Sequence, residues 1–397
     1  MPVKCRIQAQ STLQLSVAIW SLALLVTGSD VTAQTTSSPA VTVGAPCYAP
    51  TSQNDELPVG DPAAQGFNAP KLCILLNEIK NSSDNIHSVL VLRHGQLVAE
   101  LYRPGLDGGM YSLWRTHSTF GPTTRHDMRS ISKSVVGLLY GTLLAQGKVP
   151  ALATPLVSLY PEYPDLNTPQ RRAIRVEHLL TMTTGLEWDE PTPVHKPTKD
   201  DQNTLFWTRS VYKYVVNRDV VTTPGSHFVY SGGNTSVLAD IIVRATKMPL
   251  KALMDTQLFR PLGITDWEWT GNIYGVPIAF AGLRLRPRDL MKIGTMMLSG
   301  GIWKSRQLVP KAWIAQTINP HVSTGAGGYG YQFWTGKLAW QGKNLPVATA
   351  VGNGGQTLVL VPDLDLAIVT TAGDYGQPGI FPVVGSVAQR IAATVNK

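Results

Sequence analysis

Residues 130–140 form the stretch Ser130-Ile131-Ser132-Lys133-Ser134-Val135-Val136-Gly137-Leu138-Leu139-Tyr140. Residues three apart lie on the same face of a helix, so Lys133 is expected to project beside the Ser130 hydroxyl. The apolar residues that follow predict a helix that is buried on all sides. An ammonium group is costly to bury without a partner, and burial favours the neutral amine. Because a base beside a hydroxyl makes a nucleophile, the stretch predicts a serine that is activated by a lysine.

The same spacing occurs a second time, in Ser210-Val211-Tyr212-Lys213. Roughly one Ser-x-x-Lys match is expected by chance in a chain of this composition, so the spacing alone is a weak signal. The second copy lies among Arg209, Asn217 and Arg218, which is typical of a surface helix. We therefore expect Ser210 to be structural, and the apolar context sets Ser130 apart.

The N-terminus has the pattern of a secretory signal peptide over residues 1–33. Lys4 and Arg6 precede an apolar run over residues 15–26, and Val31-Thr32-Ala33 provides a small-residue cleavage site. This pattern predicts export, to the periplasm or the medium. The run is short for a bilayer span, so no stable membrane insertion is expected after its removal. Cys47 and Cys73 would then remain as an even pair, which predicts a disulfide in an exported chain.

The charge pattern argues against a nucleic-acid partner. The chain has 34 Lys and Arg against 26 Asp and Glu, and these residues are dispersed. The densest basic group is Arg284, Arg286 and Arg288, which alternates with Leu285 and Pro287. It forms no basic helix or aromatic-basic stripe of the kind that binds nucleic acid. The sequence also shows no spaced His, Cys and Asp set, no P-loop and no dinucleotide fingerprint, so we predict neither a metal nor a cofactor.

Hydrophobic patterning predicts an α+β fold in which an antiparallel sheet is flanked by helices. Residues 88–102 predict two strands about a His94-Gly95 turn, and further strands are predicted at 329–334, 357–362 and 366–370. Tight turns between successive strands favour antiparallel pairing. The region between the two chain ends is mostly helical, and we expect it to form an inserted lobe. The predicted segments are a signal peptide (1–33), an N-terminal arm (34–64), a sheet domain (65–150 and 276–397) and an inserted helical domain (151–275).

Two further segments carry groups that suit a serine nucleophile. Tyr230 lies in a turn-rich stretch directly before a predicted helix, and beside Lys133 its phenol could share the proton of Ser130. Residues 352–356, Gly-Asn-Gly-Gly-Gln, lead into an apolar strand, and glycines let backbone N–H groups approach a ligand. An amide from this segment together with the Ser130 amide would form an oxyanion hole. The alternatives are a structural tyrosine and a plain glycine turn.

Together these pieces resemble the serine hydrolases of the penicillin-recognising superfamily, in its class C β-lactamase-like branch. That branch holds penicillin-binding carboxypeptidases, β-lactamase-fold esterases and 6-aminohexanoate-dimer hydrolases. The resemblance covers roughly residues 85–395 and includes residues 128–134, 177–186, 230–231, 259–264, 282–283, 287–290, 354–356 and 361–363. The Glu187-Trp188-Asp189 sequence is most similar to the aminohexanoate-dimer hydrolases.

The resemblance implies a role for each site residue. Ser130 would be the acylated nucleophile, and Lys133 and Tyr230 would share the general-base work, with Tyr230 later protonating the leaving group. The amides of Ser130 and Asn353 would hold the oxyanion, with Gln356 as the rival for the second position. The remaining candidates for oxyanion and substrate contacts are Gly352, Asn234 and Trp188.

Two departures from the family pattern bear on the substrate. The second motif is often Tyr-x-Asn, but Gly232 stands at that position here and Asn234 follows two residues later. The third motif in β-lactamases is Lys-Thr-Gly, whose cation binds the substrate carboxylate. Residues 350–352 here are Ala-Val-Gly, and the Trp334-Thr335-Gly336 stretch lies on the preceding predicted strand. The missing charge-assisted contact would weaken β-lactam recognition by about 1.5–3 kcal/mol.

These observations rank the functional hypotheses. An esterase or linear amidase acting on a small substrate leads, and a β-lactamase or D,D-carboxypeptidase is the alternative. A binding protein for cell-wall peptides without catalytic activity is the third hypothesis, and the presence of Ser130, Lys133 and Tyr230 argues against it. His178 is expected to be a core residue rather than a triad member. Glu187, Asp189 and Glu190 could line the pocket and contact a substrate amine, but we expect them on a solvated lip of the pocket.

Overall fold

The computed structural model describes residues 47–191 and 198–396. The predicted signal peptide and the first part of the arm, residues 34–46, lie outside the described residues. The helices are α1 (Ala69–Asn81), α2 (Ile131–Ala145), α3 (Pro169–Arg172), α4 (Val176–Leu180), α5 (Asp201–Thr204), α6 (Val211–Val216), α7 (Gly232–Thr246), α8 (Leu250–Met254), α9 (Pro287–Leu298), α10 (Lys311–Ile318) and α11 (Ile380–Ala392). The strands are β1 (Ile86–Arg93), β2 (Gln96–Tyr102), β3 (Gly105–Asp107), β4 (Thr116–Ser118), β5 (His126–Asp127), β6 (Glu268–Trp269), β7 (Leu283–Leu285), β8 (Ile302–Trp303), β9 (Arg306–Gln307), β10 (Val322–Ser323), β11 (Gly328–Tyr329), β12 (Trp334–Trp340), β13 (Lys343–Gly352), β14 (Gln356–Val361) and β15 (Leu366–Ala372).

The main sheet is antiparallel and is assembled from both ends of the chain. Its strand order is β10-β11-β12-β13-β14-β15-β1-β2, so the N-terminal hairpin joins the sheet beside β15. The β1–β2 hairpin turns at His94 and Gly95, which have φ values of +50° and +71°. Two successive residues with positive φ match the right-handed twist of the flanking strands. The predicted α+β fold with an antiparallel sheet is confirmed.

Helices cover both faces of this sheet. Val89 and Val91 pack with α1 and α11 on one face, whereas Leu90 and Leu92 pack with the core around α2 and α9 on the other. Successive side chains of a strand point to opposite faces, so a strand that is covered on both sides is apolar throughout. This is why β1 and β15 are almost continuous hydrophobic runs.

The helical lobe between the two sheet segments is organised around α7. This helix packs against α2, α4 and α6, and it therefore joins the lobe to the helix that begins after Ser130. The last part of the lobe returns to the sheet side, since β6 pairs with β7 and β7 pairs with β5. The domain boundaries at residues 150 and 275 stay a prediction.

The strand predicted over residues 329–334 is wrong. β11 ends at Tyr329 and β12 begins at Trp334, and Gln332 between them has a φ of +63°. The Gln332 side chain donates to the carbonyl oxygens of Leu179 and Leu180 and accepts from Thr235 Oγ1 at 2.7 Å. These buried hydrogen bonds join the loop to α4 and α7, and they hold the backbone in a conformation that a strand would not allow.

The described part of the N-terminal arm is fixed to the sheet domain. Cys47 and Cys73 form a disulfide, which confirms the pairing predicted from the sequence. The buried Arg288 side chain donates to Glu100 at 2.7 Å and to the Thr51 carbonyl at 2.7 Å, and it lies 3.2 Å from Asp55. A buried cation needs such partners, so the arm completes the environment of Arg288.

Two buried histidines predict a loss of stability in acid. His87 and His126 both stack against Phe120 and lie 5.5 Å from each other, and burial lowers their pKa values to about 4 and about 3. An unfolded histidine has a pKa of about 6.5, so the unfolded chain binds protons that the folded chain excludes as the pH falls below that value. We expect the free energy of unfolding to drop by roughly 1.5 kcal/mol per histidine between pH 6.5 and pH 5.

Urea unfolding at a series of pH values measures this loss. The variant His126→Phe removes one titrating group and keeps a ring beside Phe120, so it should reduce the slope of stability against pH by about half. A slope that is unchanged in the variant, or a wild-type curve that is flat from pH 6.5 to pH 5, would contradict the assignment.

Candidate active site

Ser130 lies in a tight turn between β5 and α2. The preceding residue, Arg129, has a φ of +49°, and the Ser132 hydroxyl fixes this turn by donating to the Arg129 carbonyl at 2.6 Å and accepting from the Leu283 amide at 3.0 Å. The end of β13 lies against the same turn: a Cβ atom on Gly352 would be 2.2 Å from the Met128 carbonyl oxygen. Only glycine allows that approach, and it brings the β13–β14 turn beside Ser130.

Lys133 lies directly behind the Ser130 hydroxyl. Its Nζ is 3.0 Å from Ser130 Oγ and 3.2 Å from the Phe280 carbonyl oxygen. The side chain is buried, with only 1% of its surface exposed, whereas Ser130 is half-buried and therefore reachable. The Ser130 hydroxyl therefore contacts an amine that is almost fully buried, while Ser130 itself is partly exposed to solvent.

The Tyr230 ring packs beside the Lys133 amine. Lys133 Nζ lies 4.6 Å from the centroid of the Tyr230 ring. This ring stacks on Trp334 at 5.4 Å and meets the Tyr329 ring edge-on at 6.3 Å. The structure therefore brings Ser130, Lys133 and Tyr230 together, and aromatic packing fixes the position of the phenol ring.

Glu190 is a buried carboxylate at the site, so its expected place on a solvated lip is wrong. It is 3% exposed, and its Oε2 accepts from the Trp188 indole N–H at 2.7 Å and from the Gly232 amide at 2.5 Å. Burial raises the pKa of Glu190, while the charge of Lys133 and these two hydrogen bonds lower it. Burial is the largest of these effects, so the pKa of Glu190 is raised overall.

Trp188 and Asn234 support this region without touching the serine. A Cβ atom on Gly233 would lie 2.7 Å from the Trp188 ring, so the indole packs on the first turn of α7 while its N–H binds Glu190. Asn234 is buried, and its side chain binds Thr184 Oγ1 at 3.4 Å and Met182 Sδ at 3.6 Å. Its amide is thus engaged inside the helical lobe rather than with Ser130.

The structure distinguishes the two candidates for the second oxyanion donor, which lie at the β13–β14 turn. The Gln356 side chain is buried and binds both the amide and the carbonyl of Ala372, so it links β14 to β15. The Asn353 side chain accepts from the Gly376 amide at 2.8 Å at the protein surface. The turn at Gly354 and Gly355 has φ values of +92° and +94°, which favour glycine. Asn353 stays the predicted oxyanion donor, through its backbone amide.

The other sequence candidates occupy structural positions. Ser210 precedes α6 and its Oγ lies 3.3 Å from the Tyr163 hydroxyl, while Lys213 is exposed with its Nζ 5.5 Å from the Tyr163 ring. His178 is half-buried and its Nδ1 accepts from the Arg175 amide at 3.2 Å, as a helix cap. Burial lowers the pKa of His178.

The Arg284 guanidinium is engaged by acidic side chains of the protein. Arg284 binds Asp127 at 2.9 Å and Glu268 at 2.9 Å. Residues 334–336 lie on β12, where Thr335 pairs with Ala348 of β13. In residues 47–191 and 198–396, no group of three or more His, Cys, Asp or Glu side chains is placed to hold a metal ion. Across the same ranges, no helix has the length and apolar character needed to cross a membrane.

An α+β fold in which a serine and a buried lysine meet at the start of a core helix is typical of serine hydrolases of the β-lactamase type. The family model described as Beta-lactamase matches residues 87–379, and the chain belongs to this family. The 6-aminohexanoate-dimer hydrolase of Paenarthrobacter ureafaciens is 27% identical over 299 residues, which is 70% of each chain. Esterase EstB of Burkholderia gladioli is 25% identical over 233 residues, 56% of this chain and 57% of that protein.

Solved structures show the same architecture. The hydrolase EstCE1, described as having promiscuous acyltransferase activity, superposes with a TM-score of 0.62 at 15% identity. The match covers 82% of this chain and 100% of that one, and it shows the fold. The predicted family is confirmed, and the protein is a serine hydrolase of the β-lactamase fold.

Proposed function

We propose that this protein is an exported serine hydrolase that cleaves ester or linear amide bonds of small substrates through an acyl-enzyme on Ser130. The main support is the 3.0 Å contact between Lys133 Nζ and Ser130 Oγ, with the lysine almost completely withdrawn from water. A general base must lie within hydrogen-bond distance of the proton that it removes, and this pair meets that requirement.

The first step is acylation of Ser130. The neutral Lys133 amine takes the hydroxyl proton while Ser130 Oγ forms a bond to the substrate carbonyl carbon, and the carbonyl electron pair moves onto oxygen. When the tetrahedral adduct collapses, the carbonyl re-forms and the bond to the alcohol or amine breaks. Tyr230 passes the proton from Lys133 to that leaving group.

Water completes the cycle by the same route. It loses a proton to the base as it attacks the acyl carbon, and the acid departs as the proton returns to Ser130 Oγ. The amides of Ser130 and Asn353 would bind the negatively charged oxygen in both steps. Each such donor contributes roughly 10²–10³-fold to kcat in other hydrolases.

Export is supported by two independent features. Residues 1–33 have the charge, the apolar run and the cleavage site of a secretory signal. The Cys47–Cys73 disulfide suits an oxidising compartment outside the cytoplasm. N-terminal sequencing of the protein recovered from the periplasm or medium would test this, and a mature chain that still begins at Met1 in the cytoplasm would contradict it.

β-Lactamase or D,D-carboxypeptidase activity is the second candidate, favoured by the description of the matching family model. Against it, residues 350–352 offer no cation for the substrate carboxylate, and Arg284 is engaged with Asp127 and Glu268. The similarity to a 6-aminohexanoate-dimer hydrolase and an esterase supports the first candidate.

A substrate panel on the purified mature protein tests the proposal. We expect turnover of p-nitrophenyl acetate or the linear 6-aminohexanoate dimer, with kcat/KM for nitrocefin lower by roughly 10–100-fold because a charge-assisted contact is missing. Rapid nitrocefin turnover without ester or amide hydrolysis would reverse the order of the two candidates. Absence of turnover and of labelling by a fluorophosphonate would favour a binding protein.

A further inference from the structure

Three segments that contact one another carry large exposed apolar side chains. Leu113 is 85% exposed, Trp114 76%, Trp207 62% and Ile273 56%. Single exposed apolar residues are common, but a cluster of this size usually marks a binding surface. We call this cluster the aromatic surface, and its members are Tyr111, Leu113, Trp114, Trp207, Ile273, Tyr274 and Val276.

Hydrogen bonds and ring contacts hold the three segments together. The Tyr111 hydroxyl donates to the Gly271 carbonyl at 2.7 Å, and its ring meets the Phe206 ring edge-on at 5.8 Å. The Asn272 side chain donates to the Thr208 carbonyl at 3.2 Å. The aromatic surface is therefore formed before any ligand arrives, which lowers the entropic cost of binding.

The polar groups of this region are divided between the interior and the outer face. Arg209 is exposed, and its guanidinium carbon lies 5.7 Å from the centroid of the Tyr274 ring. Asn272 is buried, and its Oδ1 accepts from the amides of Tyr274 at 3.0 Å and Val276 at 3.1 Å. Residues 108–115, 205–209 and 271–278 contain no Asp or Glu, and their only cations are Arg115 and Arg209. The outward face therefore offers mostly apolar area for a hydrocarbon chain, with Arg209 as a cation beside Tyr274.

The aromatic surface is continuous with the active site. The Phe206 ring meets the Phe280 ring edge-on at 5.8 Å. The Phe280 ring lies 5.4 Å from Lys133 Nζ, and the Phe280 carbonyl oxygen binds the same amine. Phe206 and Phe280 therefore connect the aromatic surface to the amine that contacts Ser130.

From this geometry we infer that the aromatic surface binds the apolar chain of the substrate, so that the site prefers esters or amides with an extended hydrocarbon chain. This inference rests on the proposed hydrolase function. The chain belongs either to the acyl group or to the alcohol or amine that leaves. Continuity with Lys133 favours a substrate chain over a second copy of the protein or a lipid surface, neither of which requires contact with the catalytic amine.

The test compares kcat/KM along two ester series at monomeric substrate concentrations. One series is p-nitrophenyl acetate, butyrate, hexanoate and octanoate, and the other is the acetates of ethanol, butanol and octanol. We expect kcat/KM to rise by roughly tenfold from the shortest to the longest member of one series, because each methylene buries apolar area. The series that shows the rise identifies the side on which the chain lies.

Variants of the aromatic surface test whether its residues cause the preference for long chains. Trp207→Ser and Ile273→Ser should reduce the ratio of long-chain to short-chain kcat/KM to within about twofold of one. Ile74→Ser is the matched control, since Ile74 is 48% exposed on α1, at the other face of the sheet. This control should keep the wild-type ratio.

Four results would overturn the inference. The first is a flat wild-type response in both series, and the second is an equal loss of the chain-length preference in Ile74→Ser. The third is a preference that appears only with phosphatidylcholine vesicles, which would assign the surface to lipid. The fourth is a dimer that Trp207→Ser dissociates without changing the ratio, which would assign the surface to a second copy.

Failure of the proposed function has a different signature. In that case no ester is hydrolysed, and binding is measured instead by tryptophan fluorescence with octanamide and acetamide. Tighter binding of octanamide that is lost in Ile273→Ser but kept in Ile74→Ser would still support the aromatic surface. Equal binding of both amides would overturn it.

Discussion

Replacing Ser130 by alanine is expected to lower kcat/KM for p-nitrophenyl acetate by roughly 10⁶-fold, the scale seen when a nucleophile is removed from a serine hydrolase. The reason is that the acyl-enzyme cannot form without Ser130 Oγ, and neither Lys133 nor Tyr230 can replace it. The fold should be unaffected, because alanine is compatible with a position that starts a helix and the Ser130 side chain caps no amide of α2. Steady-state kinetics together with the melting temperature measure both effects.

Ser210→Ala is the matched control, since it alters the other Ser-x-x-Lys serine. Its Oγ has only the weak 3.3 Å contact with the Tyr163 hydroxyl, so activity should stay at the wild-type level. Full activity in Ser130→Ala, or loss of activity in Ser210→Ala, would contradict the assignment of Ser130 as the nucleophile.

Lys133→Met is expected to lower kcat/KM by roughly 10³–10⁴-fold, because it removes the general base while Ser130 remains. Methionine is similar in length, apolar and flexible, so it suits a side chain that is almost fully buried. The residual activity should not recover at high pH, since the base is absent rather than protonated. Kinetics from neutral to alkaline pH would measure this.

Lys213→Met provides the control for this second variant. Lys213 is exposed beside the Tyr163 ring, and its replacement should leave kcat/KM unchanged. If Lys133→Met kept more than about a tenth of the wild-type rate, general-base catalysis by this amine would be too small to explain the activity.

The parts of the site that follow from local geometry could be predicted from sequence. Ser130 and Lys133 meet because they are three positions apart on a helix, and the apolar run after them buries that helix. The β1–β2 hairpin follows from alternation and from the His94-Gly95 turn, where a short backbone signal fixes the register. These features depend on neighbours within a few residues.

Other features depend on residues that are distant in the chain. Glu190 is buried because the Gly232 amide, 42 residues later, binds its carboxylate, and nothing in the acidic sequence around it distinguishes it from Glu187. Gln332 breaks a run of strand-forming residues because its side chain binds carbonyls of α4. The aromatic surface likewise arises only when three segments meet around Tyr111. Tertiary contacts override local preference at each of these positions.

The most direct test of the account is to locate the covalent adduct of a fluorophosphonate by peptide mass spectrometry and to follow its rate of formation. We predict a single adduct on Ser130 in the wild-type protein and in Ser210→Ala, no adduct in Ser130→Ala, and formation that is slower by roughly 10²-fold or more in Lys133→Met. An adduct on another residue, or an undiminished labelling rate in Lys133→Met, would contradict the claim that the buried amine activates this serine.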